Sequence, residues 1–136
     1  MSDASGVSER EAIARFLDAA SFAVVGASNS PTKFGARVFA ALRASGRNVI
    51  PVNPNAPEVQ GVTAAPSLSA LPTPVEAVSV ITPPAVTETV VDEAIAAGIG
   101  MIWMQPGAES EAAVERAREA GLVVIEGGPC VLVELA

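Results

Sequence analysis

Phe22-Ala23-Val24-Val25-Gly26-Ala27-Ser28-Asn29-Ser30-Pro31-Thr32-Lys33-Phe34-Gly35 joins a four-residue apolar run to a polar turn and the start of an apolar helix. The run 22–25 is short, wholly apolar and bounded by turn residues, which is the pattern of a strand buried on both faces. From Gly35 to Ala44 the spacing puts Val38, Phe39 and Leu42 on one helix face, and Ser45-Gly46 stops it. A strand, a turn of small residues and a helix N-terminus together offer backbone N–H groups and the positive end of the helix dipole to an anion. Lys33, the only lysine in the chain, adds an ammonium to that turn. A phosphate-bearing ligand is therefore expected, set against the plainer alternative that a βα turn needs Gly and Ser simply to bend.

The same strand–helix alternation extends outward. Ser8-Glu9-Arg10-Glu11 is a capping-box pattern that opens a helix to about Ala19, with Ile13, Phe16 and Leu17 on one face. Further strands are expected at 48–52, 77–81, 101–104 and 122–125, and a terminal strand or tail at 131–135. Helices are expected from about Val86 to Ala97, with Val86, Val90, Ala94 and Ala97 inward, and from about Ser110 to Ala120. The proline-rich stretch 54–74 reads as connection, with a short edge piece at 61–64 and one helical turn at 67–71. Strands alternating with helices at this spacing indicate βαβ units in an open, doubly wound parallel α/β sheet of about five strands.

Composition narrows the function. At 136 residues the chain suits one domain, 1–136, with the polar residues 1–7 expected to be disordered. Fifteen acidic residues against eight basic give a net charge of −7 with no basic block, which argues against nucleic acid as a partner. That field also repels polyanions, so a phosphorylated ligand needs a local positive site. The chain has no histidine, which removes imidazole bases, histidine triads, phosphohistidine and most transition-metal sites. A lone Cys130, a short polar N-terminus and no long apolar stretch lead us to expect a soluble, cytoplasmic protein with no membrane partner.

Three strand ends complete the candidate site. A dinucleotide fingerprint wants glycines at 26, 28 and 31, yet Ser28 and Pro31 stand there. In this variant turn Gly35 serves the close approach at the helix start. At the end of the second strand NAD-binding folds place a carboxylate for the ribose, whereas this chain has Asn53 followed by Pro54, so NAD is disfavoured. Thr82-Pro83-Pro84 would form a rigid wall at a third strand end, or serve only as a stiff link into the helix. Gln105, at the same edge, carries an amide able to bind a ligand amide. Trp103 reads as core, Glu111, Glu115 and Glu119 as a solvated helix face, and Cys130 as a small buried hydrophobe unless its exposure says otherwise.

Taken in order, Val25-Gly26-Ala27-Ser28, Lys33-Phe34-Gly35, Ile50-Pro51-Val52-Asn53-Pro54, Thr82-Pro83-Pro84 and Trp103-Met104-Gln105-Pro106-Gly107-Ala108 resemble the stand-alone bacterial and archaeal CoA-binding proteins. That family is similar to the CoA-binding domain of the succinyl-CoA synthetase alpha subunit and of ADP-forming acyl-CoA synthetases. The resemblance covers about residues 9 to 135 and implies a Rossmann-like fold with coenzyme A or an acyl-CoA as ligand. It implies that Gly26, Ala27, Ser28, Asn29 and Lys33, with Phe34 and Gly35 beside them, hold CoA phosphates. Asn53 and Pro54 would flank the adenosine, where a carboxylate would repel the ribose 3′-phosphate. Thr82, Pro83 and Pro84 would line the adenine or pantetheine path, and Cys130 matches a cysteine near which the ligand thiol would approach. The chain departs from many relatives in carrying Gly128-Pro129 where they have Asp-Arg. Synthetase alpha subunits use a phosphorylated histidine of a second domain, so this histidine-free chain is not expected to run that chemistry alone.

The expectation is a binding module for CoA with no catalytic constellation. An NAD(P)-binding redox enzyme or sensor, and an accessory subunit presenting CoA to a partner ligase, stay open as alternatives. A homodimer also stays open, since no residue selects an interface.

Overall fold

A computed structural model describes residues 8–135; the disorder expected of residues 1–7 concerns a segment outside them. Helix α1 (Glu9–Leu17) leads into β1 (Phe22–Val25), α2 (Phe34–Ala44) and β2 (Val49–Val52). A small hairpin, β3 (Glu58–Val59) and β4 (Val62–Thr63), and a 3-10 turn (Leu68–Ala70) precede β5 (Ala77–Val80). The chain continues through α3 (Pro84–Ala96), β6 (Met101–Met104), α4 (Glu111–Glu119), β7 (Val123–Ile125) and α5 (Val131–Leu135). The five-stranded sheet is parallel throughout, in the order β2-β1-β5-β6-β7. This is the parallel α/β sheet expected from the strand–helix alternation, in the Rossmann-like fold that the resemblance implied.

Residues alternate across the strands, so each strand feeds two cores. Phe22 and Val24 of β1 join Trp103 of β6, together with Phe16 of α1 and Val38, Phe39 and Leu42 of α2. Ala23 and Val25 join Val78 and Val80 of β5, Ile102 and Met104 of β6, Val90 and Ala94 of α3, and Ala113 and Ala117 of α4. A sheet covered on both faces explains why its strands read as unbroken apolar runs. Ser8 and Ser110 cap α1 and α4 by accepting from Glu11 N and Ala113 N.

Several local expectations change. Residues 131–135 form a helix, not a strand: β7 is the sheet edge, and Leu132 and Leu135, three apart, pack into the cluster that holds α2 while Val133 faces solvent. The unbroken apolar run Val131-Leu132-Val133 conceals that period. Helix α3 begins at Pro84, two residues before the expected start, and buries Thr87, Val90, Val91 and Ala94. Val86 and Ala97 are therefore not inward; both are exposed. Thr87 is tolerated inside because its hydroxyl lies 2.7 Å from that of Thr82. The edge piece expected near 61–64 pairs Val62 and Thr63 with the unexpected β3, and Ala65 just beyond it makes a single parallel bridge to Val52 at the edge of the main sheet.

Candidate functional site

Beginning at β1, the chain runs to β2 on one side and crosses to β5 on the other. The connections leaving β1 and β5 therefore diverge, and open α/β sheets bind ligands at such a switch point. A cleft of about 690 Å³ lies there, a size typical of small-molecule sites. Val25, Gly26, Ala27 and Ser28 floor it, with Lys33, Phe34 and Gly35 at the entry to α2. Val52, Asn53, Pro54 and Asn55 close the β2 side, and Ile81, Thr82 and Pro83 the β5 side. Pro66, Ser67, Val86, Thr89, Val90 and Glu93 complete the wall.

Two glycines set the approach of helix to strand. Gly26 has φ +96°, and a Cβ there would overlap the carbonyl oxygen of Ile81. A Cβ on Gly35 would overlap the carbonyl oxygen of Gly26 itself. The first turn of α2 thus rests directly on the end of β1, as the sequence led us to expect of Gly35. Lys33 occupies the N-cap position of α2 but supplies no side-chain cap. The N–H groups of Phe34 and Gly35 consequently have no acceptor among the described residues. Lys33 is exposed and is the one cation among the lining residues, and Glu93 is the one carboxylate.

Asn53 does more than border the cleft. Its Nδ2 donates to Ala27 O at 2.9 Å, and its Oδ1 accepts from Asn55 N at 2.7 Å. The end of β2 is thereby tied to the β1–α2 turn. A carboxylate at this position would face the Ala27 carbonyl with no proton to donate, so the geometry calls for an amide. Ser28 Oγ accepts from Ser30 N at 3.0 Å and tightens the same turn.

Of the residues singled out from sequence, Gly26, Ala27, Ser28, Lys33, Phe34, Gly35, Asn53, Pro54, Thr82 and Pro83 all come together around this cleft. Four do not line it. Pro84 is the first residue of α3, one position beyond the wall. Asn29 turns to the β3–β4 hairpin, donating to Glu58 O at 2.8 Å and accepting from Gln60 N at 2.7 Å. Gln105 is fully buried: its Nε2 donates to Ser79 Oγ and its Oε1 accepts from Val131 N. Both ends of that amide are committed to the fold, so Gln105 secures α5 to the sheet. Cys130 is half-buried ahead of α5. Trp103 Nε1 donates to Pro129 O at 3.0 Å, and with the Gln105 bond to Val131 N this fixes the backbone on both sides of Cys130, which is not among the residues that line the cleft.

Gln60 has no counterpart among the residues singled out from sequence. It has φ +52°, unusual for a residue with a side chain, and its Nε2 reaches Ser28 O at 3.3 Å and Ala36 O at 2.9 Å. The dipeptide Gln60-Gly61 between Val59 and Val62 is a hairpin-turn signal that could have located it.

Residues 20–136 match the family described as CoA binding domain. The chain belongs to that family. Its fold is similar to that of a hypothetical protein from Pyrococcus horikoshii OT3, with a TM-score of 0.88 and 30% identity over 98% of this chain and 94% of that one. It is 33% identical over 103 residues to the uncharacterized protein YneT of Bacillus subtilis, 76% of each chain. It is also 33% identical over 127 residues to the alpha subunit of the ADP-forming acetate–CoA ligase II of Pyrococcus furiosus, a match to 85% of this chain and 28% of the subunit. The CoA-binding domain therefore accounts for nearly all of this chain, which spans about a quarter of the ligase subunit. No helix among the described residues is long and apolar enough to cross a membrane.

Proposed function

We propose that the protein binds coenzyme A or an acyl-CoA in the switch-point cleft, as a binding module without a catalytic step of its own. The CoA phosphates lie against the turn 26–29 and the first turn of α2, with Lys33 as their counter-charge. The adenosine lies beside Asn53 and Pro54, and Thr82 and Pro83 form the opposite wall. The observation that carries this reading is the meeting of the only lysine with two first-turn N–H groups that have no acceptor among the described residues, at one cleft. In a chain of net charge −7, such a local site offsets an otherwise repulsive field. The bond from Asn53 to Ala27 O argues against NAD, because the position requires a donor where a ribose-binding carboxylate would stand.

Lys33→Ala tests the reading with little risk to the fold, since Lys33 is exposed and caps nothing through its side chain. Calorimetry should show CoA binding weakened by about 1–3 kcal/mol, the range of a charge-assisted hydrogen bond, with the melting temperature unchanged. Equal affinity of variant and wild type would remove Lys33 from the site.

A second role rests on the ligase match. The CoA-binding domain is one part of the Pyrococcus furiosus ligase subunit, so this chain is suited to present CoA to a separate partner carrying the remaining chemistry. Co-purification with a ligase-type subunit in the presence of CoA would support that role. Its absence, with CoA binding intact, would leave a free-standing CoA binder.

A further inference from the structure

Two successive carbonyls of the β1–α2 turn are each held by a side-chain amide. Asn53 Nδ2 holds Ala27 O at 2.9 Å, and Gln60 Nε2 holds Ser28 O at 3.3 Å while also reaching Ala36 O, in the first turn of α2, at 2.9 Å. The peptide bonds here are trans, and in a trans peptide the N–H points opposite to the C=O. Holding Ala27 O toward Asn53 therefore turns the Ser28 N–H away from β2. Holding Ser28 O toward Gln60 turns the Asn29 N–H away from the β3–β4 hairpin. Neither N–H has an acceptor among the described residues. Consecutive N–H groups freed in this way form an anion-binding concavity.

Gln60 is anchored as a brace would be. Its backbone N donates to Asn29 Oδ1 at 2.7 Å, and its carbonyl accepts from Arg43 Nη1 of α2 at 3.2 Å. Its left-handed backbone conformation, φ +52°, is one that glycine or asparagine would adopt more readily. A longer amide stands there and spans from the hairpin to both the turn and α2. Gln60 does not line the cleft, so it acts on a ligand only through the turn.

We propose that Gln60 is a positioning residue for the anion turn: its amide, acting with that of Asn53, holds the turn's carbonyls back and so leaves free for a ligand phosphate both the Ser28 N–H at the cleft and the adjoining Asn29 N–H, whose residue stands just outside the lining. This rests on the CoA-binding reading above. It extends that reading to a residue outside the cleft and makes the hairpin a working part of the site.

The test uses wild type, Gln60→Met, which keeps length but loses the donor, and Gln60→Gly, which loses the amide while relieving the left-handed backbone. Each is titrated with CoA by calorimetry, and the Ser28 and Asn29 amide protons are followed by NMR. Both variants should bind CoA about tenfold more weakly, as for one lost hydrogen bond. The Asn29 amide shift produced by CoA in wild type should shrink in both, and that of Ser28, still held through Asn53, should persist. Gln60→Gly should melt no lower than Gln60→Met, which separates the effect from simple loss of stability. Wild-type binding with unchanged affinity in both variants, or an undiminished Asn29 shift, would overturn the positioning role alone. A wild type that does not bind CoA would overturn the binding reading and this inference together.

Discussion

Replacing Trp103 by alanine should cost about 3–5 kcal/mol of stability and lower the melting temperature by roughly 10–20 °C. Trp103 is fully buried at the centre of β6. Its ring meets Phe16 edge-on at 5.1 Å between centroids, and so locks α1 onto the sheet. Its Nε1 donates to Pro129 O, and so fixes the segment entering α5. Alanine would leave a cavity beside Phe16, in a closely packed core cluster that also holds Phe22 and Phe39 and cannot readily collapse to fill it. Trp103→Phe keeps most of the apolar contact but leaves the Pro129 carbonyl without its donor, and should cost about 1–3 kcal/mol. CoA affinity at a temperature where that variant stays folded should match wild type, because Trp103 does not line the cleft. A Trp103→Ala protein melting within a few degrees of wild type would refute this account of the core.

Gly35→Ala should be severe at the site itself, although it adds one methyl group. The new Cβ would overlap the Gly26 carbonyl oxygen, a backbone atom that no rotamer change can move aside. Gly26 cannot give way easily either, since Ile81 crowds it from the other side. Helix α2 must therefore lift from β1 or the turn must open, at a cost of about 3 kcal/mol. Either movement displaces the Phe34 and Gly35 N–H groups, so CoA affinity should fall by more than about tenfold, as expected for loss of at least one bond to a charged group. Gly46→Ala is the control. Gly46 also has positive φ, but an added methyl group there would meet nothing within 4 Å. That substitution should cost about 1–2 kcal/mol through backbone strain alone and leave CoA binding intact. Equal loss of affinity in the two variants, or none in Gly35→Ala, would count against the close-contact role.

The sequence disclosed the parts of the molecule whose cause is local. Residues 22–25 read as a buried strand because both faces of β1 are covered, and Gly35 reads as a close approach because the helix start follows directly. Asn53 stands out because a carboxylate is missing from a position where dinucleotide folds use one. Its actual role, donating to a carbonyl 26 residues earlier, depends on two strand ends meeting and has no local mark. Gln105 illustrates the opposite error. A polar side chain at the ligand edge suggests a ligand contact, yet Gln105 is buried and Ser79 Oγ and Val131 N bond the two ends of its amide inside the fold. Strand β3 has only two residues, too few for alternation to register, and the brace formed by Gln60 is hidden with it. Helix α5 escapes a sequence reading because five residues fit either period.

The most direct measurement is a side-by-side calorimetric titration of the purified protein with CoA, dephospho-CoA and NADH. The account predicts that CoA binds, that dephospho-CoA binds more weakly because it lacks the 3′-phosphate, and that NADH does not compete. NADH binding with CoA excluded would contradict the reading of Asn53 and of the cleft as a CoA site.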